Sequence, residues 1–356
     1  MQIELSSDLL KSSESKLSLI GLLAHGFSGR HVVLVDPREE GASSAYEAWR
    51  EELGDPKLKE EIKWVLDEGD RRASVGTRVR LKVSSVSNSA SSVLLEKALL
   101  LCSYPYRVLL ENGVTDRDFL LVVAGPHRDA LNAASEKGWL LFETAGGIDG
   151  VKMRVEELGK QIGAGERFYC LVDSDAKDEK TSSEVALTIQ TSINAIAKKI
   201  GVAPAKIGKV LERRSVENYV EIHALQSWLK KQMPLGMVKN VEEAWKRAND
   251  VEGEPLEDSQ RGTPGSKERA LFAALALEDV SDRIWNFFDF SKGRGRPPRR
   301  TVDSVWSELS KLQQSALEDG FSKSLLRAFY LSPNGKTDPS ADAELQEIIT
   351  SIQERQ

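Results

Sequence analysis

Cysteine is nearly absent: Cys102 and Cys170 stand far apart in apolar surroundings. A disulfide scaffold is thereby excluded, and a reducing cytoplasm is the expected compartment. Neither cysteine belongs to a Cys-x-x-Cys pair and the four histidines are scattered, so no structural zinc site is expected. Long apolar runs are missing too. The run Leu17 to Leu23 is far too short to span a bilayer. Glu4, Asp8 and Glu14 precede it and no clear cleavage site follows, so it does not read as a signal peptide. No membrane partner is expected. The chain also lacks an excess of positive charge: its formal net charge is −6, against the basic balance of a protein that lives by nonspecific phosphate contacts. Gly208-Lys209 is followed by Val210, which removes the phosphate-binding loop of ATPases. The dinucleotide fingerprint and the serine-hydrolase elbow are absent as well.

What is present centres on one stretch. Phe168 to Val172 is a short, β-favouring apolar run, as in a strand buried on both faces of a parallel sheet, and it ends in Asp173-Ser174-Asp175. In open α/β sheets reactive groups gather just beyond the carboxyl ends of strands. On extended backbone, residues i and i+2 share a side, so the two aspartates can share a hard cation. The plainer alternative is a helix cap at Asp173 and a solvated turn at Asp175. Upstream, Arg107 to Leu110 reads as a second buried strand, ending in Glu111 with Asp116 close behind. Thr115 and Asp118 have the spacing of a capping box for a helix running to Val123. Trp139 to Phe142 reads as a strand leading into Ala145-Gly146-Gly147. Helices are expected at about 149–161 and from Ser182 or Ser183 to about Ile200. Alternating strands and helices predict an α/β fold with a parallel sheet.

Glu111 with Gly113 and Asp116, the Ala-Gly-Gly turn, then Asp173-Ser-Asp175 resemble the TOPRIM domain, the metal-binding α/β domain of topoisomerases, primases and several nucleases. Leu211-Glu-Arg213-Arg214-Ser-Val-Glu217-Asn218-Tyr219 is similar to a segment of TOPRIM nucleases related to the overcoming-lysogenisation-defect family. The resemblance covers roughly residues 95 to 225. It departs from the family pattern at Asn112, which stands where a glycine is usual. The resemblance implies a nuclease acting on DNA or RNA with Mg²⁺ or Mn²⁺, serving in bacterial anti-phage defence beside an ATPase or sensor partner. Glu111, Asp173 and Asp175 are the expected metal ligands and catalytic carboxylates. Asp116 is either a further ligand or a residue favouring the helix dipole. Glu217 either extends the site or pairs with Arg213 or Arg214. Those arginines either face the scissile phosphate or balance the acidic edge. Topoisomerase and primase activities are not expected, for want of a tyrosine-bearing cleavage domain and of zinc-binding cysteines.

Around this region the chain divides into an α/β segment at 1–94, a catalytic domain at 95–225 and a mostly helical domain at 226–356. In the first, His31 to Val35 reads as a strand. Asp55-Pro56 opens a helix that Gly69 ends. Val75 to Val83 alternates as a half-buried strand whose Arg78, Arg80 and Lys82 form a solvated cationic face. Val93 to Leu101 reads as a helix. In the third, helices are expected at Val241–Asn249, around Val305 to Leu312 and at Phe321–Leu331, with a glycine- and proline-rich loop at 250–267. The stripe Leu345, Ile348, Ile349 and Ile352 is expected to pack into that domain's own core. Lys292, Arg294, Arg296, Arg299 and Arg300 lie among glycines and prolines after a cluster of aromatics. This loop is either a solvated charge run or a phosphate-contacting arm, in equal measure. A non-catalytic binding subunit keeping the same fold is the competing reading, and a homo-oligomer stays open.

Overall fold

The computed structural model describes residues 1–12, 16–74, 78–86, 92–161, 166–176, 182–232 and 323–355, and elements are numbered in chain order over these. The expected helix at 241–249, the loop at 250–267, the helix around 305–312 and the basic loop at 292–300 lie outside them.

Two four-stranded parallel sheets organise the chain. The first comprises β1 (Gln2–Leu5), β2 (Val32–Val35), β3 (Arg80–Ser84) and β4 (Ser92–Leu94), in the order β2-β1-β3-β4. Alternate residues divide its faces. Ile3, Leu5, Val33 and Val83 enter one core with α1 (Ser7–Lys11), α2 (Lys16–Phe27), α3 (Ala42–Glu51), α4 (Pro56–Ala73) and α5 (Leu95–Ser103). Val93 and Leu94, expected in the helix, belong to β4, and α5 packs by Leu95, Ala98 and Leu101 on this first core. The other face sets Gln2, Glu4, Arg80 and Lys82 beside the buried Val32 and Leu34; Arg80 is exposed as expected, and the cations of this face lie near carboxylates. Lys82 pairs with Asp36 at 3.1 Å and Glu39 at 2.8 Å, and Arg80 lies 3.8 Å from Glu4. The central strand β1, which the sequence reading did not contain, supplies Glu4.

Helix α4 begins as expected: Asp55 Oδ1 accepts the Lys57 N–H at 2.8 Å and Pro56 opens the first turn. It does not stop at Gly69. A Cβ there would lie 1.9 Å from the Val33 carbonyl oxygen, so this glycine lets α4 cross closely over β2.

The second sheet comprises β5 (Tyr106–Leu110), β6 (Leu140–Thr144), β7 (Phe168–Val172) and β8 (Gly208–Val210), in the order β6-β5-β7-β8. Between its strands run α6 (Thr115–Val123), α7 (Arg128–Glu136), α8 (Ile148–Lys160) and α9 (Glu184–Ile200); α10 (Ile222–Gln232), α11 (Lys323–Leu331) and α12 (Asp342–Arg355) follow. Ser183 caps α9 through the Ala186 N–H at 3.2 Å, and Gly201, at φ 71°, ends it. Leu109, Cys170 and Val172 meet α8 and α9 on one face. Val108, Leu110, Tyr169 and Leu171 share the other core with Phe119, Phe329 and Ile348. The apolar stripe of α12 therefore completes the core of the second sheet and not a core of its own. No helix among the described residues is long and apolar enough to cross a membrane.

Candidate functional site

Between β5 and β7 the strand order reverses, and such a switch point opens a crevice at the carboxyl ends of the strands. Leu110 stands level with Thr144 on one side and Leu171 on the other, so Glu111 and Asp173 leave neighbouring strands at one edge. The backbone after Glu111 is held tightly. A Cβ on Gly113 would fall 1.4 Å from Thr144 Oγ1, so a glycine is needed at this position. The Ala-Gly-Gly turn packs here. Ala145 N–H donates to the Leu110 carbonyl at 2.9 Å and Gly147 N–H to the Glu111 carbonyl at 3.2 Å. Gly146 and Gly147 have φ of 78° and 112°, conformations that side chains resist.

The expected capping box does not form. Thr115 is already the first residue of α6, and its preceding residue Val114 has no side-chain cap. Asp116 Oδ2 instead accepts the Asn112 N–H at 2.7 Å, closing the loop that follows Glu111. Asp118 takes the Arg327 Nε–H of α11 at 3.0 Å.

After β7 the chain turns at once. Asp175 has a left-handed φ of 46°, so it does not share an extended stretch with Asp173. Asp173 Oδ1 accepts the Val216 N–H at 3.1 Å, while Asp175 Oδ1 lies 3.9 Å from Arg214. Arg214 also donates to the Ala176 carbonyl at 2.6 Å. Arg213 turns away from the two aspartates. It donates to the Asn218 carbonyl at 2.6 Å, pairs with Asp338 at 2.5 Å and lies over the Tyr219 ring at 5.2 Å. Asn218 closes a capping box with Ser215, and Tyr219 donates its hydroxyl to Glu344 at 2.6 Å. Both therefore fix the shape of the segment that carries Glu217.

Glu217, Asp116 and Asp173, from three parts of the chain, all act electrostatically on one residue that the sequence did not single out, Tyr330 of α11. Burial first, then these three carboxylates, pushes the Tyr330 phenol well above its ordinary value. Its hydroxyl donates weakly to the Val216 carbonyl at 3.4 Å, and its ring meets Phe119 at 6.0 Å. Asp338 and Glu344 were missed likewise. Nothing local could have found them, because they act through a chain return of more than a hundred residues. Among the described residues, no group of three or more His, Cys, Asp or Glu is gathered closely enough to hold a metal ion.

Comparison with protein-family models, with curated proteins and with solved structures yields no match.

Proposed function

We propose that the chain is a metal-dependent phosphodiester hydrolase acting on nucleic acid. The observation that supports it best is the placement of Glu111, Asp173 and Asp175 just past β5 and β7 at the switch point of a parallel sheet, with Asp116 in the first turn of α6. The donors are all carboxylate oxygens, a set that suits a hard cation such as Mg²⁺ or Mn²⁺. Glu111, Asp116, Asp173 and Asp175 would hold the ion, with Glu217 behind them. When bound, such an ion supplies charge neutralisation at the phosphate and a more acidic water. The chain's own part is positional. Backbone N–H groups of Asn112 and Val216 orient Asp116 and Asp173, and the Ala-Gly-Gly turn fixes the backbone of Glu111. Arg214 beside Asp175 is the nearest described cation for a substrate phosphate. An ATPase or sensor partner, and a role in anti-phage defence, belong to this proposal through the TOPRIM resemblance.

Cleavage of plasmid DNA, single-stranded DNA and total RNA, each with Mg²⁺, Mn²⁺ or EDTA, tests it. Metal-dependent cutting that is lost in Asp173→Asn supports the reading, and cutting that persists in that variant overturns it. A second reading, a non-catalytic subunit, draws on a different observation: Asp116 and Asp173 each satisfy a backbone N–H, and the carboxylates do not close into one metal shell. Absence of calorimetric Mg²⁺ or Mn²⁺ binding, together with absence of cutting, would favour it.

A further inference from the structure

Helix α2 carries an outward apolar stripe. Leu17, Ile20, Ala24 and Phe27 follow one another at spacings of three and four, which places them on one face. Leu17 is 85% exposed and Phe27 58%. Leu58, Ile62 and Val65 of α4 form the opposite wall of a groove of about 180 Å³, in which Glu61 is the one charged lining residue. Trp64, 52% exposed, extends the surface by setting its ring edge-on to Phe27 at 5.5 Å. Single exposed apolar residues are ordinary, but a contiguous patch of this kind marks an interaction site.

The charge around the patch selects its partner. Residues three and four away surround a helical position, and for Trp64 all four are acidic: Glu60, Glu61, Asp67 and Glu68. Lys57 lies 3.8 Å from Glu61 and Arg71 holds Glu68 at 2.6 Å. Among the described residues, Glu60 and Asp67 have no ion-pair partner. Glu60 and Asp67, beside Trp64, disfavour nucleic acid and anionic lipid at this face. A second copy fits poorly too, because two-fold antiparallel pairing of α4 about Trp64 sets Glu60 against Glu68 and Glu61 against Asp67.

We infer that the groove between α2 and α4 docks a basic amphipathic helix of a partner protein. Its apolar residues enter the groove along the α2 stripe, which spans three helical turns. Its lysines or arginines meet Glu60 and Asp67, and one can lie over the Trp64 ring. Neither α2 nor α4 contributes a residue to the acidic edge of the second sheet.

The test uses the full chain and two labelled 16-residue helical peptides with the same leucine and phenylalanine spacing. One has lysine flanks and the other glutamate flanks. Fluorescence anisotropy is expected to show binding of the lysine peptide on the order of micromolar, as for a small transient interface. Trp64→Ala should weaken it at least about tenfold, as loss of an aromatic anchor does. The double change Glu60→Lys with Asp67→Lys should do the same, and salt should weaken the wild-type complex. Circular dichroism checks that these exposed substitutions leave the fold intact. Equal binding of the glutamate peptide, indifference to both variants or failure of the lysine peptide to bind overturns the inference. So does competition by duplex DNA or anionic vesicles, or concentration-dependent dimerisation that Trp64→Ala abolishes.

Discussion

Asp173 holds the backbone of Val216: its carboxylate, just past the end of β7, accepts that N–H at 3.1 Å across a separation of 43 residues. One residue thus lies between the acidic edge and the segment that carries Glu217. Shape and charge can be separated here. Asp173→Asn keeps an oxygen for the Val216 N–H, so its urea midpoint should stay close to wild type while any metal-dependent cutting disappears. Asp173→Ala leaves the buried N–H unsatisfied, which costs about 1–3 kcal/mol. Equal stability of the two variants would show that the bond contributes nothing.

Arg213 is the second test of role. Its Asp338 ion pair, its bond to the Asn218 carbonyl and its stacking on Tyr219 make it a tie between the Glu217 segment and the residues around Asp338. Arg213→Ala should lower stability by about 2 kcal/mol, by removing the counter-charge of Asp338, which keeps only its Ser340 bonds, and the donor to the Asn218 carbonyl. Arg213→Lys should recover only part, since an ammonium cannot reproduce the planar fork. Nucleic-acid affinity that falls in Arg213→Ala without any loss of stability would restore the phosphate-contact reading of this side chain.

Gly69 supplies a case in which two rules oppose each other. Alanine inside a helix is favoured over glycine by about 1 kcal/mol. At Gly69 the new Cβ would meet the Val33 carbonyl at 1.9 Å, and backbone cannot give way as a side chain can. Overpacking of this kind costs about 1–3 kcal/mol, so Gly69→Ala should destabilise in urea denaturation. A stabilised variant would show that α4 can lift from β2 at little cost.

Glu344 gives a pH dependence of defined sign. Burial raises its pKa, against the opposing hydrogen bonds from Tyr219 and the Glu212 N–H. A carboxyl that binds its proton more tightly when folded adds stability as pH falls from above its folded pKa towards its unfolded one. Wild type minus Glu344→Gln, measured as urea midpoints from pH 8 down to pH 5, should therefore shift in favour of wild type on acidification. The opposite slope would mean that the Tyr219 hydrogen bond outweighs burial.

How much of this could be read beforehand depended on where the information lies along the chain. Phe168 to Val172 is apolar at every position, so its burial on both faces was legible, and Ser183 and Gly201 announced the ends of α9. The loop after Glu111 was legible in outline but not in detail. Asp116 was placed at a helix start and does lie in the first turn of α6, but its bond to the Asn112 N–H could not be read. Gly69 looked like a stop because sequence shows a glycine but not the strand passing over it. β1 and β8 are too short to announce themselves. Tyr330 reads as one more core aromatic in α11. Only the return of the chain across the second sheet brings its hydroxyl to the Val216 carbonyl and its ring to Phe119.

That return has a consequence during synthesis. The carboxylates at 111, 116, 173 and 217 are translated well before α11 and α12, which close the core over Phe119. At ribosomal speed the interval from Asp173 to Tyr330 is roughly 8–30 s. Throughout it, one face of the second sheet, Val108 and Leu110 included, waits without its covering helices. The bonds that shape the acidic edge, by contrast, are complete once Val216 has been made.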